Sequence, residues 1–101
     1  MIDKYQTKQE YFWSGEFGND YIQRNQSQEI LNSNIFFFKR ALENVHNIKT
    51  CIEFGSNIGM NLKALREIEA NAECHAIEIN KKALPYLKNL LPEENIIIDS
   101  I

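Results

Sequence analysis

The chain has 101 residues, of which 44% are hydrophobic and 25% are charged, and its formal net charge is −3. This length and composition allow at most one globular domain. The negative net charge argues against a nucleic-acid partner, because contacts to a phosphate backbone need clustered lysine and arginine side chains.

The first residues lack the apolar run of a signal peptide, and the apolar stretches at 35–38 and 96–98 are too short to cross a bilayer. Cys51 and Cys74 each fall in a predicted strand, which is typical of reduced core thiols. His46 and His75 have no metal-ligand spacing with each other or with the cysteines. We therefore expect a cytoplasmic protein with no membrane partner and no metal site.

Residues 1–31 are predicted to form an N-terminal arm that is polar but rich in aromatic rings. Disordered segments are poor in such rings, so the arm is expected to pack against something. Two interpretations stay open: the rings cover an edge of the core, or the arm caps a ligand pocket. The rings belong to Tyr5, Tyr11, Phe12, Trp13, Phe17 and Tyr21.

A helix is predicted from Asn32 or Ser33, either of which could cap it, to about Val45. Strands are predicted at 50–54, 73–79 and 95–98, and a second helix at 58–69. A third helix is expected after its cap at Asn80, with a shifted start or slight kink at Pro85 and an end at Pro92. This alternation of helices and strands with short connections predicts an α/β fold with parallel strands and right-handed crossovers.

A glycine turn follows the first predicted strand, in the segment Glu53-Phe-Gly-Ser-Asn-Ile-Gly59, and Glu78 ends the second strand. A dinucleotide site needs glycine where Asn57 stands, so that the backbone can approach a pyrophosphate. The Glu53 carboxylate would also repel that group. It suits a ligand with an ammonium group and no phosphate, such as S-adenosylmethionine.

The segment 53–59 resembles motif I of the class I S-adenosylmethionine-dependent methyltransferases, and Ala76-Ile-Glu-Ile-Asn80 resembles their acidic ribose-binding position. The pattern Phe12-Trp-Ser-Gly-Glu-Phe-Gly-Asn-Asp-Tyr-Ile-Gln-Arg-Asn25, followed by the glycine turn, resembles a narrower group. These are the bacterial methylases associated with pseudaminic acid biosynthesis. The resemblance covers essentially the whole chain.

The resemblance implies that residues 32–101 are the first half of a Rossmann-like domain. That half would hold three parallel strands with flanking helices, and the domain would be truncated after the third strand. The activity implied is methyl transfer from S-adenosylmethionine to a small-molecule or sugar-derived acceptor. Catalytic residues are expected beyond Ile101, so we expect the 101-residue chain alone not to be a working enzyme.

The resemblance also implies roles for individual residues. Gly55 and Gly59 would let the backbone approach the cofactor, Glu53 would contact its methionine amino end, and Glu78 would accept hydrogen bonds from both ribose hydroxyls. We expect Glu78→Ala to weaken cofactor binding with little loss of fold. The implied cofactor site further contains Ser56, Asn57, Ile79, Asp99 and Ser100, the last two at the position where the family meets the adenine.

Tyr21 and Arg24 form a more speculative pair in the arm. An arginine there would be able to clamp the methionine carboxylate with two hydrogen bonds, or it would only cover Trp13 at the surface. For the whole chain two alternatives remain. One is a nicotinamide-nucleotide-binding half-domain of an oxidoreductase, which Asn57 and Glu53 disfavour, and the other is a truncated binding module without turnover.

Overall fold

The computed structural model describes residues 7–15 and 27–100. Tyr21 and Arg24, together with the rings of Tyr5 and Phe17, lie outside the described residues. The helices and strands of the described ranges are α1 Lys8–Ser14, α2 Gln28–Ala41, β1 Thr50–Phe54, α3 Met60–Ile68, β2 Glu73–Glu78, α4 Leu84–Lys88 and β3 Ile96–Ile98. Short 3-10 turns precede α4 at Lys81–Ala83 and β3 at Glu93–Asn95. In these ranges no helix is both long enough and apolar enough to span a bilayer.

The strands of the described residues form one parallel sheet in the order β1-β2-β3. Cys51 pairs with Cys74, and Ala76 pairs with Ile96. The predicted α/β fold with parallel strands and flanking helices is therefore confirmed, and it is compatible with a partial Rossmann-like fold. The first strand occupies the predicted residues, and the third begins one residue later than predicted, because Asn95 belongs to the preceding turn.

The predicted start of α2 at Asn32 or Ser33 is wrong. The helix begins at Gln28, because the side chain of Ser27 accepts a hydrogen bond from the Ile30 N–H at 3.1 Å and caps it. It ends at Ala41, so Val45 lies outside the helix and is 45% exposed instead of lying on its inner face. The helix also runs across residue 31, where the arm was predicted to end.

The remaining helices follow the predicted pattern with shorter bounds. Helix α3 starts after Gly59 and buries Leu62 and Leu65, as expected from its apolar spacing. Asn80 acts as the predicted cap, its side chain accepting from the Lys82 N–H at 3.0 Å. A 3-10 turn before α4 gives the shifted start expected near Pro85, but the helix ends at Lys88, ahead of Pro92.

The core lies on one face of the sheet, between the strands and the helices. Alternate strand residues such as Cys74 and Ala76 are buried there against Leu62 and Leu87, and both cysteines are free thiols. Alternate residues on a strand point to opposite faces. The other face is uncovered in the described part of the chain, with Phe54 and Ile97 57% and 52% exposed.

Candidate functional site

The glycine turn after β1 is built from residues in the left-handed backbone region. Gly55, Asn57 and Gly59 have φ angles of +73°, +53° and +84°. The N–H groups of Gly55 and Ser56 both donate to the Ile77 carbonyl, at 2.8 and 3.2 Å. These bonds fasten the turn to the carboxyl end of β2.

Asn57 stands where a dinucleotide fingerprint has its second glycine, and its backbone lies in the left-handed region. Asparagine tolerates this region better than other side chains, because its short polar group bonds to the local backbone. Here its Oδ1 accepts a hydrogen bond from the Ile58 N–H at 2.8 Å. The turn therefore keeps its shape although the residue is not glycine.

Glu78 links the glycine turn to the loop after β2. Glu78 is only 7% exposed. Oε1 accepts from the Asn57 N–H and Oε2 accepts from the Asn80 N–H, both at 2.8 Å. A carboxylate has about four acceptor positions, so each oxygen keeps capacity for one more donor. Glu78 is thus a structural clamp that can still accept hydrogen bonds from a ligand.

Glu53, near the end of β1, is partnered on one side only. Its Oε2 accepts from Asn61 Nδ2 at 2.7 Å, and Asn61 Oδ1 in turn accepts from Asn34 Nδ2 at 3.0 Å. Its Oε1 is buried and finds no hydrogen-bond partner among the described residues. Desolvation raises the pKa of Glu53, the Asn61 hydrogen bond lowers it, and the Glu78 carboxylate raises it further.

A cavity of about 490 Å³ lies between α1 and the carboxyl ends of the strands. Pockets that hold small ligands typically span roughly 300–1,000 Å³. In open α/β sheets, ligands bind outside these strand ends. The sheet side of the cavity is lined by Gly55, Asn57, Ile77, Glu78, Ile79, Asn80 and Ser100.

Helix α1 forms the other wall of the cavity. Thr7 caps this helix, accepting from the Glu10 N–H at 3.0 Å, and both residues line the cavity with Gln9 and Trp13. The Ser100 hydroxyl donates to Glu10 Oε2, so α1 is joined to the segment that follows β3. For the described part of the arm this placement favours the interpretation that it caps a pocket.

Five of the predicted site residues line the cavity, namely Gly55, Asn57, Glu78, Ile79 and Ser100. The other described candidates lie apart from the lining. Ser56 is buried in the turn, Asp99 is exposed and accepts from the Ser100 N–H through Oδ1, and Glu53 is held by Asn61. Tyr21 and Arg24 lie outside the described residues.

Gly59 belongs to the packing of the turn. A Cβ atom at this position would lie 2.9 Å from Leu90 Cδ2 and 3.0 Å from Leu87 Cδ2. A Cβ at Gly55 would instead meet nothing within 4 Å. The two glycines of the motif therefore differ: Gly59 permits close helix packing, and Gly55 faces the cavity.

Sequence reasoning missed the cavity-lining role of Thr7, Gln9 and Glu10. One local signal was available, because threonine followed by glutamate three residues later is the pattern of a capped helix start. That pattern predicts a helix beginning at Lys8 and places Glu10 and Trp13, three residues apart, on one face.

The described lining is acidic and contains no lysine, arginine or histidine; its charged members are Glu10 and Glu78. Such a cavity repels phosphate and accepts neutral or cationic ligands that donate hydrogen bonds. No protein-family model and no curated protein matches the chain.

Proposed function

We propose that this chain forms the cofactor-binding half of an S-adenosylmethionine-dependent methyltransferase. The acceptor is a small or sugar-derived molecule, in the chemistry of pseudaminic acid and related nonulosonates. The observation that carries the proposal is the convergence of the glycine turn and Glu78 on one cavity whose described lining is acidic and lacks cations.

The residues fit this cofactor in three respects. Glu78 keeps one acceptor position on each oxygen, as a ribose diol requires. The cavity volume of about 490 Å³ suits a nucleoside-sized ligand. Glu53 lies outside the described lining, but its carboxylate, near the end of β1, would attract an ammonium group by its charge.

S-adenosylmethionine supplies an electrophilic methyl group, and transfer depends largely on holding that group in line with a nucleophile. In this proposal the chain's own residues bind and orient the cofactor. Gly55 leaves open space for the ligand, and Glu78 holds the ribose. Glu53, which lies outside the described lining, attracts the amino end through its charge. The acidic lining disfavours a nicotinamide dinucleotide, because its pyrophosphate would lie beside carboxylates without a compensating cation.

Calorimetric titration of the chain with S-adenosylhomocysteine, S-adenosylmethionine and NAD tests the proposal. We expect heat of binding from the first two ligands and none from NAD. Tighter binding of NAD, or no binding of either adenosyl ligand, would overturn it. Transfer of labelled methyl groups to sugar-derived acceptors is measured next. Transfer by this chain would show that residues 1–101 suffice for catalysis, against our expectation, whereas cofactor binding without transfer is the expected result for a cofactor-binding half and does not by itself separate it from a binding module.

A further inference from the structure

Helix α1 is not held in place by a hydrophobic core of its own. None of its residues is buried, and Tyr11 and Phe12 are 64% and 49% exposed. Trp13 is half-buried, and it lies on the cavity with Glu10. The face of α1 that carries Glu10 and Trp13 is thus directed at the cavity, which is where a ligand would contact it.

The cavity combines a flat aromatic ring with aliphatic side chains. Trp13 on α1 shares the lining with Ile77, near the end of β2, and with Ile79, directly after it. Nucleobases stack on aromatic side chains whatever their hydrogen-bonding edges, and loss of the ring lowers affinity about tenfold or more. This apolar part of the lining therefore suits the base of a nucleoside.

Glu10 supplies a polar side chain to the cavity lining on the same helix as Trp13. Its two oxygens contact the hydroxyls of Ser100 and Thr7, the latter at 3.4 Å. An ionised carboxylate only accepts hydrogen bonds, so it attracts a base edge that presents an amine and repels one that presents a carbonyl. Because Ser100 follows β3, this carboxylate is fixed at the rim of the sheet.

We propose that α1 recognises the base of the ligand: the Trp13 indole stacks on a purine, and the Glu10 carboxylate accepts a hydrogen bond from its exocyclic amine. The inference rests on the proposed function, since it assigns the base of the same nucleoside ligand. It makes Trp13 and Glu10 specificity-determining residues contributed by a helix outside the sheet.

The chain contains a single tryptophan, so its fluorescence reports on Trp13 alone. We expect S-adenosylhomocysteine to quench this fluorescence. By calorimetry, Trp13→Ala should weaken binding about tenfold or more, and Trp13→Phe, which keeps a ring, should weaken it less. Tyr11→Ala is the matched control, because Tyr11 is an exposed ring of the same helix outside the cavity lining.

Glu10 is tested with S-inosylhomocysteine, in which a carbonyl replaces the exocyclic amine. The unmodified chain should bind the adenosyl form about tenfold more tightly or better, as expected for a hydrogen bond to a charged group. Glu10→Gln should reduce this preference to about threefold or less, because an amide can either donate or accept. Circular dichroism of each variant checks that the fold is kept.

The outcomes separate the two proposals. Absence of binding by both adenosyl ligands to the unmodified chain would overturn the proposed function. If S-adenosylhomocysteine binds by calorimetry, but Trp13 fluorescence does not change and Trp13→Ala binds like Tyr11→Ala, the base-recognition inference is wrong while the proposed function stands. If Glu10→Gln keeps the full preference for the adenosyl form, Glu10 does not recognise the exocyclic amine.

Discussion

Glu53 and Glu78 occupy comparable places in the sheet. Each lies at or next to the carboxyl end of its strand, and the pairing of Glu53 with Ala76 puts both on the same face. Their bonding differs. Glu78 accepts one backbone N–H on each oxygen, from the turns after β1 and β2, whereas Glu53 accepts one side-chain amide and keeps a buried oxygen without a partner among the described residues.

This difference teaches that the position of a strand-end carboxylate does not define its role. Glu78 satisfies two backbone donors, so removing it would leave them without partners, and it contributes to stability before any ligand binds. Glu53 has a pKa raised mainly by desolvation, so its charge costs free energy in the folded chain. Its buried Oε1 adds to this cost, because it is an acceptor without a donor among the described residues.

The largest effect is expected for Glu78→Ala. The variant leaves the N–H groups of Asn57 and Asn80 without their acceptor, and each such loss costs roughly 1–3 kcal/mol. We expect the free energy of unfolding, measured by urea denaturation, to fall by about 2–6 kcal/mol. The sequence led us to expect little loss of fold from this change, and the burial of Glu78 argues otherwise.

Glu73→Ala is the matched control for that experiment. Glu73 lies on the same strand, but its side chain is 62% exposed and its Oε2 lies 3.4 Å from His75 Nε2. Exposed ion pairs contribute about 0–1 kcal/mol. If both variants lose equal stability, Glu78 is not a clamp and the contrast with Glu53 is broken.

The parts of the fold that depend on local pattern were predictable from the sequence. Strand β1 was predicted residue for residue, because an apolar run is followed directly by the glycine turn. The start of α2 was not predictable, since Ser27, Asn32 and Ser33 are all good caps. With Ser27 as the cap, the helix includes Leu31, which is only 5% exposed. The burial of Leu31 depends on tertiary packing, which the local sequence does not show.

The candidate site shows the same division. The convergence of Gly55, Asn57 and Glu78 followed from the strand–turn–helix pattern, because the carboxyl ends of neighbouring parallel strands meet at one edge. The wall formed by α1 did not, since it depends on a contact between Glu10 and Ser100, which lie 90 residues apart. The packing role of Gly59 likewise requires knowing where Leu87 and Leu90 lie.

Glu53→Gln tests the other side of the comparison and should have a smaller effect of opposite sign. The raised pKa means that folded Glu53 holds its proton more tightly than the unfolded chain does. Stability therefore falls as the pH rises from the ordinary glutamate pKa through the raised one, and the cost is complete once the pH is well above the raised pKa. The amide carries no charge and avoids this cost, so we expect the variant to gain stability relative to the unmodified chain as the pH rises through the raised pKa.

The measurement is urea denaturation of both proteins across the acid range. The advantage of Glu53→Gln should disappear below the ordinary glutamate pKa, where both side chains are neutral. A stability difference between the two proteins that does not change with pH would mean that the folded chain does not disfavour the Glu53 charge, and Glu53 would then resemble Glu78.

The smallest effect is expected for Asn61→Ala, which removes the hydrogen bond that lowers the pKa of Glu53. This bond lies at an exposed position, so its loss should reduce stability at neutral pH by only about 0.5–1 kcal/mol. The informative result is the pH dependence: the pKa of Glu53 should rise further, and the fall in stability should extend to higher pH.

Asn32→Ala is the control, because it removes an exposed side-chain hydrogen bond to Gln28 within α2. An identical pH profile for the two variants would show that Asn61 does not tune Glu53, because Asn61 bonds to that carboxylate and Asn32 bonds to Gln28.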